Sequence, residues 1–255
     1  MALRCRSLGS GSKGNATLIE TEDTLVLVDC GFTAAEMARR ITAAGFPPEA
    51  LDAILVTHEH ADHIRGVDVL SRRYEIPVWL TRGSRLAITN ADLHAPTLIS
   101  SHAEFRIGGL QITPFPVPHD AREPCQFVFS DGDQRVGLLT DVGSITPHIL
   151  EVLRGCAGLL LEFNYDPTTL RSGPYPEALK RRIDGARGHL SNEQAATLLR
   201  SLDHADLRFV VGLHLSEQNN APSRVAELLQ SVANGRAIMT GIADQRDGSA
   251  WFSLD

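Results

Sequence analysis

The stretch Leu55–Val67, LVTHEHADHIRGV, places three histidines, a glutamate and an aspartate within six residues, directly behind an apolar run. Ala53–Thr57 reads as a buried strand, so His58 opens the loop at its C-terminal end, where α/β folds build their sites. The local order is H-x-H-x-D-H. In an extended segment His58 and His60, two residues apart, point the same way. Asp62 and His63 then fall at the start of the next helix and turn towards a neighbouring point. That geometry suits two adjacent metal ions better than one. Burying so many unpaired imidazoles and carboxylates without a cation would be costly.

Working outward, short apolar runs alternate with helical stretches. Strands are expected at Ala16–Glu20, Thr24–Asp29, Ala53–Thr57, Pro77–Thr81, Leu110–Pro116, Cys125–Ser130, Arg135–Thr140, Gly158–Phe163, Arg208–Leu213, Ala237–Met239 and Ala250–Ser253. Helices are expected at Ala34–Ala44, Ala61–Tyr74, Ser84–Asn90, Ile145–Arg154, Tyr175–Ile183, Asn192–Asp203 and Ser223–Ala233. Thr33 and Ser191 each begin a capping box, with Glu36 and Gln194 three residues on. Asp166–Gly173 reads as a loop. With no long linker or repeat, residues 1–255 read as one domain of layered α/β type, mixed sheets covered by helices.

Composition bounds the function. The chain has 255 residues, 43% hydrophobic and 22% charged, with no apolar run long enough for a membrane helix. The first residues lack the apolar core of a secretory signal, and four scattered cysteines read as reduced thiols. A cytoplasmic protein without membrane contact is expected. A net charge of −7 means that any nucleic-acid contact needs a local basic patch.

More ligands are expected at other strand ends. His119 follows Leu110–Pro116, Asp141 follows Arg135–Thr140, His214 follows Arg208–Leu213, and Asp29 ends Thr24–Asp29. Each alone reads equally as a turn residue or cap. Together they offer hard oxygen and borderline imidazole donors fit for Zn²⁺ or for Mn²⁺/Fe²⁺.

THEHADH, followed by His119, Asp141 and His214, resembles the metallo-β-lactamase superfamily. SLGSGSKGNATLIE, LVDCGF, YPEALKRRI, GHLSNEQAA and HLSEQNN look like its YycJ/WalJ branch, and the resemblance covers nearly the whole chain. It implies a four-layer αββα sandwich of two mixed sheets with the metals at one edge. It also implies one metal position at His58, His60 and His119, a second at Asp62, His63 and His214, a bridge at Asp141, and Asp29 orienting a ligand. His189 resembles the non-ligand histidine of tRNA 3′-processing endonucleases. The alternative is that His189 ligates and His214 supports it; the clear strand before His214 favours His214 as ligand.

Two such ions hold a hydroxide that is nucleophilic at neutral pH. Asp62 and His189 are therefore the expected catalytic residues, with His189 as oxyanion stabiliser or acid. Neither Cys125 nor Cys156 matches the second-site cysteine common in the superfamily's β-lactamases, so lactam hydrolysis is a poor reading. Lys180, Arg181, Arg182 and Arg187, close to His189, read either as a solvated helix face or as a phosphate-binding rim. Ser12 and Asn15 in the Gly9–Asn15 turn, and Asn219 after His214, are weaker substrate contacts; a plain turn or capped loop explains them as well. Only 21 residues separate His119 from Asp141 and 47 separate Asp141 from His189, too few for a tRNA-clamping arm or an inserted RNA-processing domain. The expected activity is a dinuclear-metal phosphodiesterase, a DNA exonuclease of 5′→3′ direction as the branch resemblance implies. The alternatives are action on small cyclic phosphates or nucleotides, a thioester hydrolase, and a non-catalytic signalling regulator.

Overall fold

Strands of alternating pattern bury a different layer on each face, and that alternation sets the architecture. In the computed structural model, which describes residues 3–88, 92–233 and 235–254, fourteen strands form two seven-stranded sheets. The first sheet holds β1 (Leu3–Gly9), β2 (Ala16–Glu20), β3 (Leu25–Val28), β4 (Ala53–Leu55), β5 (Val78–Thr81) and β6 (Pro96–Ile99). The second holds β7 (Phe105–Ile107), β8 (Leu110–Pro116), β9 (Cys125–Ser130), β10 (Arg135–Leu139), β11 (Gly158–Glu162), β12 (Phe209–Leu213) and β13 (Met239–Ile242). β14 (Phe252–Leu254) returns to pair with β1, giving the orders β14-β1-β2-β3-β4-β5-β6 and β13-β12-β11-β10-β9-β8-β7.

The helices are α1 (Ala34–Ala43), α2 (Ala61–Ile64), α3 (Val67–Arg73), α4 (Arg82–Ala87), α5 (Pro147–Leu153), α6 (Pro167–Ser172), α7 (Glu177–Ile183), α8 (Asn192–Leu202) and α9 (Pro222–Ala233). Val26 and Val28 face the other sheet, meeting Phe127, Phe129, Leu160 and Val211. Leu25 and Leu27 face outward onto Met37 and Ile41 of α1 and Leu70 of α3. Likewise Leu160 points between the sheets, while Leu159 and Leu161 meet Ile149 of α5 and Leu198 and Leu199 of α8. This is the αββα sandwich, helices outside and two sheets within.

β3 and β4 run parallel, as do β10, β11, β12 and β13. β8 is antiparallel to β9, which is antiparallel to β10, so β8 ends at the same edge as β10. Every strand expected to carry a ligand therefore delivers it to one rim.

The structure departs from expectation in several places. The helix expected over Ala61–Tyr74 breaks at Gly66, whose N–H bonds Cys30 O at 2.9 Å; a Cβ there would lie 2.3 Å from Phe32 O. Asp166–Gly173 is not a loop: it contains α6, with Asp166 Oδ1 accepting from Thr169 N at 2.8 Å and Pro167 at the first helical position. β1, β6 and β7 were not expected, being short or starting in polar surroundings. The expected helix Ser84–Asn90 runs Arg82–Ala87, and Asn90 lies outside the described residues. Ser191 makes the full capping box with Gln194; Thr33 accepts from Glu36 N, but the Glu36 carboxylate goes to Arg39 and Arg40 instead of completing one.

Candidate metal centre

β4 carries the chain into the fully buried Thr57 and His58, and His60, still extended, caps α2. The His58 ring stands edge-on to His60 and His119, with centroids 4.6 and 4.9 Å away. His60 Nδ1 and His119 Nε2 are 3.3 Å apart, and one nitrogen from each of the three imidazoles falls within 4.8 Å of the others. Asp62, His63 and His214 form a second such group. Asp141 lies between the two: Oδ2 is 3.2 Å from His63 Nε2, and Oδ1 is 3.7 Å from His119 Nε2 and 3.6 Å from His214 Nε2. That is the position a bridging carboxylate requires.

The donor set fits cations. His58 Nε2, His214 Nε2 and Asp141 Oδ2 are buried polar atoms without a hydrogen-bond partner, and all three belong to this cluster. Such groups are costly to bury unless something charged meets them. Burial works to lower the His214 pKa, but the Asp141 carboxylate, with those of Asp62 and Glu162 beside the ring, raises it to about 10. His63 is also held well above its ordinary value: burial is outweighed by the carboxylates of Asp141 and Asp29. Asp141 is correspondingly held well below the carboxylate range, burial being overcome by His214 and His63. His58 is driven well below its ordinary value, first by burial and then by the neighbouring imidazoles, which suits a neutral nitrogen donor.

Supporting contacts fix the rings. Asp29 Oδ2 takes His63 Nδ1 at 2.7 Å, while its two oxygens also bind Thr57 N and Oγ1 at 2.9 and 2.8 Å. Asp29, Asp141 and His214 all adopt left-handed backbone, φ 61°, 53° and 55°. Asn164 Nδ2 donates to His214 O at 2.9 Å and lies 3.0 Å from its Nδ1. Ser10 Oγ accepts from His214 N at 2.8 Å.

Sequence reasoning missed Glu162. It ends β11, is fully buried, and serves four donors. Oε1 faces His189 Nδ1 at 2.7 Å and His214 Nδ1 at 3.3 Å; Oε2 accepts from Val142 N at 3.2 Å and Leu190 N at 3.0 Å. Burial would raise its pKa, but His189 and then His214 pull it down to about 2. The signal was present: in GLLLEF, Glu162 shares the inter-sheet face of Leu160, where a carboxylate must find partners. His189, whose Nδ1 is engaged by Glu162, stacks against the His214 ring at 5.3 Å and 20°. Asp120 was also missed; its Oδ1 is 3.5 Å from His119 Nε2 and its Oδ2 takes Arg182 Nε at 2.6 Å.

Three expected substrate contacts do other work. Asn15 is buried, closing its own turn onto Gly11 and reaching His63 Nε2 at 3.2 Å, so it braces the ligand loop. Asn219 is buried in the loop after β12, its N–H on Ser216 Oγ and its carbonyl taking Asp166 N. Lys180 is turned away, its Nζ on Arg171 O at 2.7 Å. Of Lys180, Arg181, Arg182 and Arg187, only Arg182 is hydrogen-bonded to the rim among the described residues, through Asp120. Ser12 and Arg181 are exposed, with no hydrogen bond joining them to the cluster among the described residues.

The sequence profile described as "Beta-lactamase superfamily domain" matches residues 24–214. The exodeoxyribonuclease WalJ of Streptococcus pneumoniae is 36% identical over 220 residues, covering 84% of this chain and 81% of that protein. The exodeoxyribonuclease YycJ of Bacillus anthracis is 33% identical over 224 residues, covering 86% and 85%. The metallo-β-lactamase fold protein YhfI of Bacillus subtilis superposes with a TM-score of 0.77 over 100% of both chains at 16% identity, a likeness of fold. Among the described residues, no helix is long and apolar enough to cross a membrane.

Proposed function

The chain belongs to the β-lactamase superfamily, and on that premise we propose that it is a metal-dependent phosphodiesterase that removes nucleotides from the 5′ ends of DNA. One observation carries the reading: Asp141 stands between two imidazole-rich groups whose buried donor atoms, His58 Nε2 and His214 Nε2, have no other partner. The names of the relatives, exodeoxyribonucleases along most of the chain, supply the substrate.

His58, His60 and His119 would hold one divalent ion, Asp62, His63 and His214 the other, and Asp141 both; zinc and manganese or iron fit this donor set. When bound, the ions polarise the phosphoryl group and make water nucleophilic near neutral pH. The chain's own residues do the rest. Asp62, one-quarter exposed at its side chain, borders the solvent side of the second group, where it can orient the attacking water. His189 donates its Nδ1–H to Glu162, and the imidazolium held in that way would pass its Nε2 proton to the departing 3′-oxygen. Thr57 and Asp29 keep His63 from turning. Arg182, held by Asp120 beside His60 and His119, places a guanidinium where the DNA backbone approaches.

The test is a panel assay of protein loaded with Mn²⁺ or Zn²⁺: a 5′-phosphorylated duplex, bis-p-nitrophenyl phosphate, cyclic nucleotides and a thioester. Release of mononucleotides from the duplex, abolished in His60→Ala, is expected. Robust His60-dependent thioester cleavage with inert DNA would overturn the reading.

A further inference from the structure

Two cavities flank the metal centre, and they differ in charge. Beyond His214, a cavity of about 580 Å³ is bounded by Lys13, Arg246, Glu217 and Asp244, two cations and two anions, and Lys13 is paired with Glu217. Behind His119, a cavity of about 470 Å³ has Arg122, His148 and Arg187 on its wall and no acidic residue. Its remaining lining is mainly apolar, including Pro116, Val117 and Pro118. Among the described residues none of those three basic side chains makes a hydrogen bond or ion pair within the protein, so their donors are free for a ligand. Their backbones are fixed. Arg122 N donates to Glu59 Oε1 at 2.8 Å, and Glu123 Oε2 accepts from Gly83 N at 2.6 Å. Arg187 packs so closely on Gly143 that a Cβ there would lie 2.5 Å from its nitrogen. The volume lies within the usual range for small-ligand sites.

Resting on the nuclease reading above, we infer that the cavity behind His119 holds the 5′-terminal nucleotide of the DNA strand, its terminal phosphate on Arg122, Arg187 and His148 and its base against the proline wall. A terminal phosphate carries more negative charge than an internal one, and of the two cavities this is the one without acids. The placement agrees with the chemistry. Water attacks the first internal phosphorus, the P–O3′ bond breaks, and the leaving 3′-oxygen belongs to the terminal nucleotide. His189, which would supply its proton, is two residues from Arg187, and its ring is 5.4 Å from that of His119. The released product is a 5′-mononucleotide, and the shortened strand carries a new 5′-phosphate. One cavity therefore recognises every successive end, and a strand without an end cannot fill it.

The experiment compares two duplexes identical except for a 5′-phosphate or a 5′-hydroxyl, with bis-p-nitrophenyl phosphate reporting the metal centre separately. The unaltered protein should release the first nucleotide roughly 10-fold or more faster from the phosphorylated end, the scale of a lost charge-assisted hydrogen bond. Arg122→Gln combined with His148→Gln should erase most of that preference. On the unaltered protein, thymidine 5′-monophosphate should inhibit the reaction and the 3′-monophosphate should not. Equal rates at both ends, or equal inhibition by the two nucleotides, with normal turnover of both substrates, would overturn the inference and leave the nuclease reading standing. Inert DNA beside hydrolysed bis-p-nitrophenyl phosphate would remove the nuclease reading and this inference with it.

Discussion

Exchanging Glu162 for glutamine changes the cluster by one oxygen for one NH₂. In the wild type Oε2 serves two backbone N–H groups, and Oε1 serves the Nδ1 atoms of His189 and His214. A glutamine keeps the backbone bonds only by leaving its oxygen there, which turns its NH₂ towards both imidazoles. Each Nδ1 must then accept, and the ring proton moves to Nε2. At His214 that blocks the nitrogen facing Asp62 and Asp141; at His189 it removes the carboxylate that steadies an imidazolium. Trapping the wrong tautomer behind a proton-transferring histidine costs on the order of 10⁴-fold in serine proteases, and losing the partner of a ligand costs about 10–100-fold in metal affinity or activity. For Glu162→Gln we expect kcat on 5′-phosphorylated duplex DNA, whose alkoxide leaving group needs the proton, to fall about 10²–10⁴-fold, with KM changed far less. The second metal should bind about 10–100-fold more weakly by titration against a chelator. A variant with kcat within about 3-fold of wild type and two tightly held ions would refute the tautomer argument.

His189→Ala should retain full metal stoichiometry and lose about 10²–10⁴-fold in kcat; loss of one ion would instead make His189 a ligand. Asp141→Ala should strip metal from both positions and abolish turnover, and stoichiometric metal by elemental analysis would contradict the bridging assignment. In Gly31→Ala the new Cβ would lie 1.8 Å from Asp62 O, so the Tm should drop by about 4–8 °C, an overpacking cost of about 2 kcal/mol; an unchanged Tm would deny that close approach. Because the folded-state pKa of Glu162 is depressed to about 2, its contribution to stability is present above the ordinary carboxyl range and lost as the pH falls towards 2. The gap in urea midpoint between metal-free wild type and Glu162→Gln should therefore narrow from about pH 5 downward, and a constant gap would refute it.

The centre was legible where its residues break a simple pattern. H-x-H-x-D-H after an apolar run is such a break, and so are His119, Asp141 and His214, single polar residues standing just after apolar strands. Glu162 is harder to see in the sequence because it is the last residue within a strand, where nothing local separates it from a core position, whereas His119, Asp141 and His214 stand just after one. For Asn15 and Asn219 the sequence leaves the role open, because a Gly/Ser-rich turn and a polar loop look alike whether they face substrate or brace a neighbour; their contacts to Asp62, His63 and Asp166 are tertiary and no local spacing encodes them. The break at Gly66 has the same origin. The helical pattern continues through it, and only the approach of Cys30 and Phe32 stops it.

How strands deliver side chains to a rim explains why Glu162 differs from its companions. A residue that simply prolonged β3, β10 or β12 would point into one of the two hydrophobic layers, because alternation continues along an extended chain. Asp29, Asp141 and His214 leave that alternation by taking left-handed backbone, at a cost of roughly 1–3 kcal/mol each. Aspartate tolerates that region better than most non-glycine residues, and histidine shares the preference. Glu162 stays extended and needs no such turn, since it already shares the inter-sheet face with Leu160. The strand-end residues of the centre are thus of two kinds: Asp29, Asp141 and His214, strained where they turn over the rim, and Glu162, an unstrained carboxylate at the end of the inter-sheet core that holds the rings of His189 and His214 from below. Glycine in place of Asp29 or Asp141 should release local strain while it loses metal, whereas alanine, less at ease in that region than aspartate, should not. Replacing Glu162 gives no such relief, so Glu162→Gln should cost the metal-free protein more stability, read as the urea midpoint, than Asp29→Gly or Asp141→Gly.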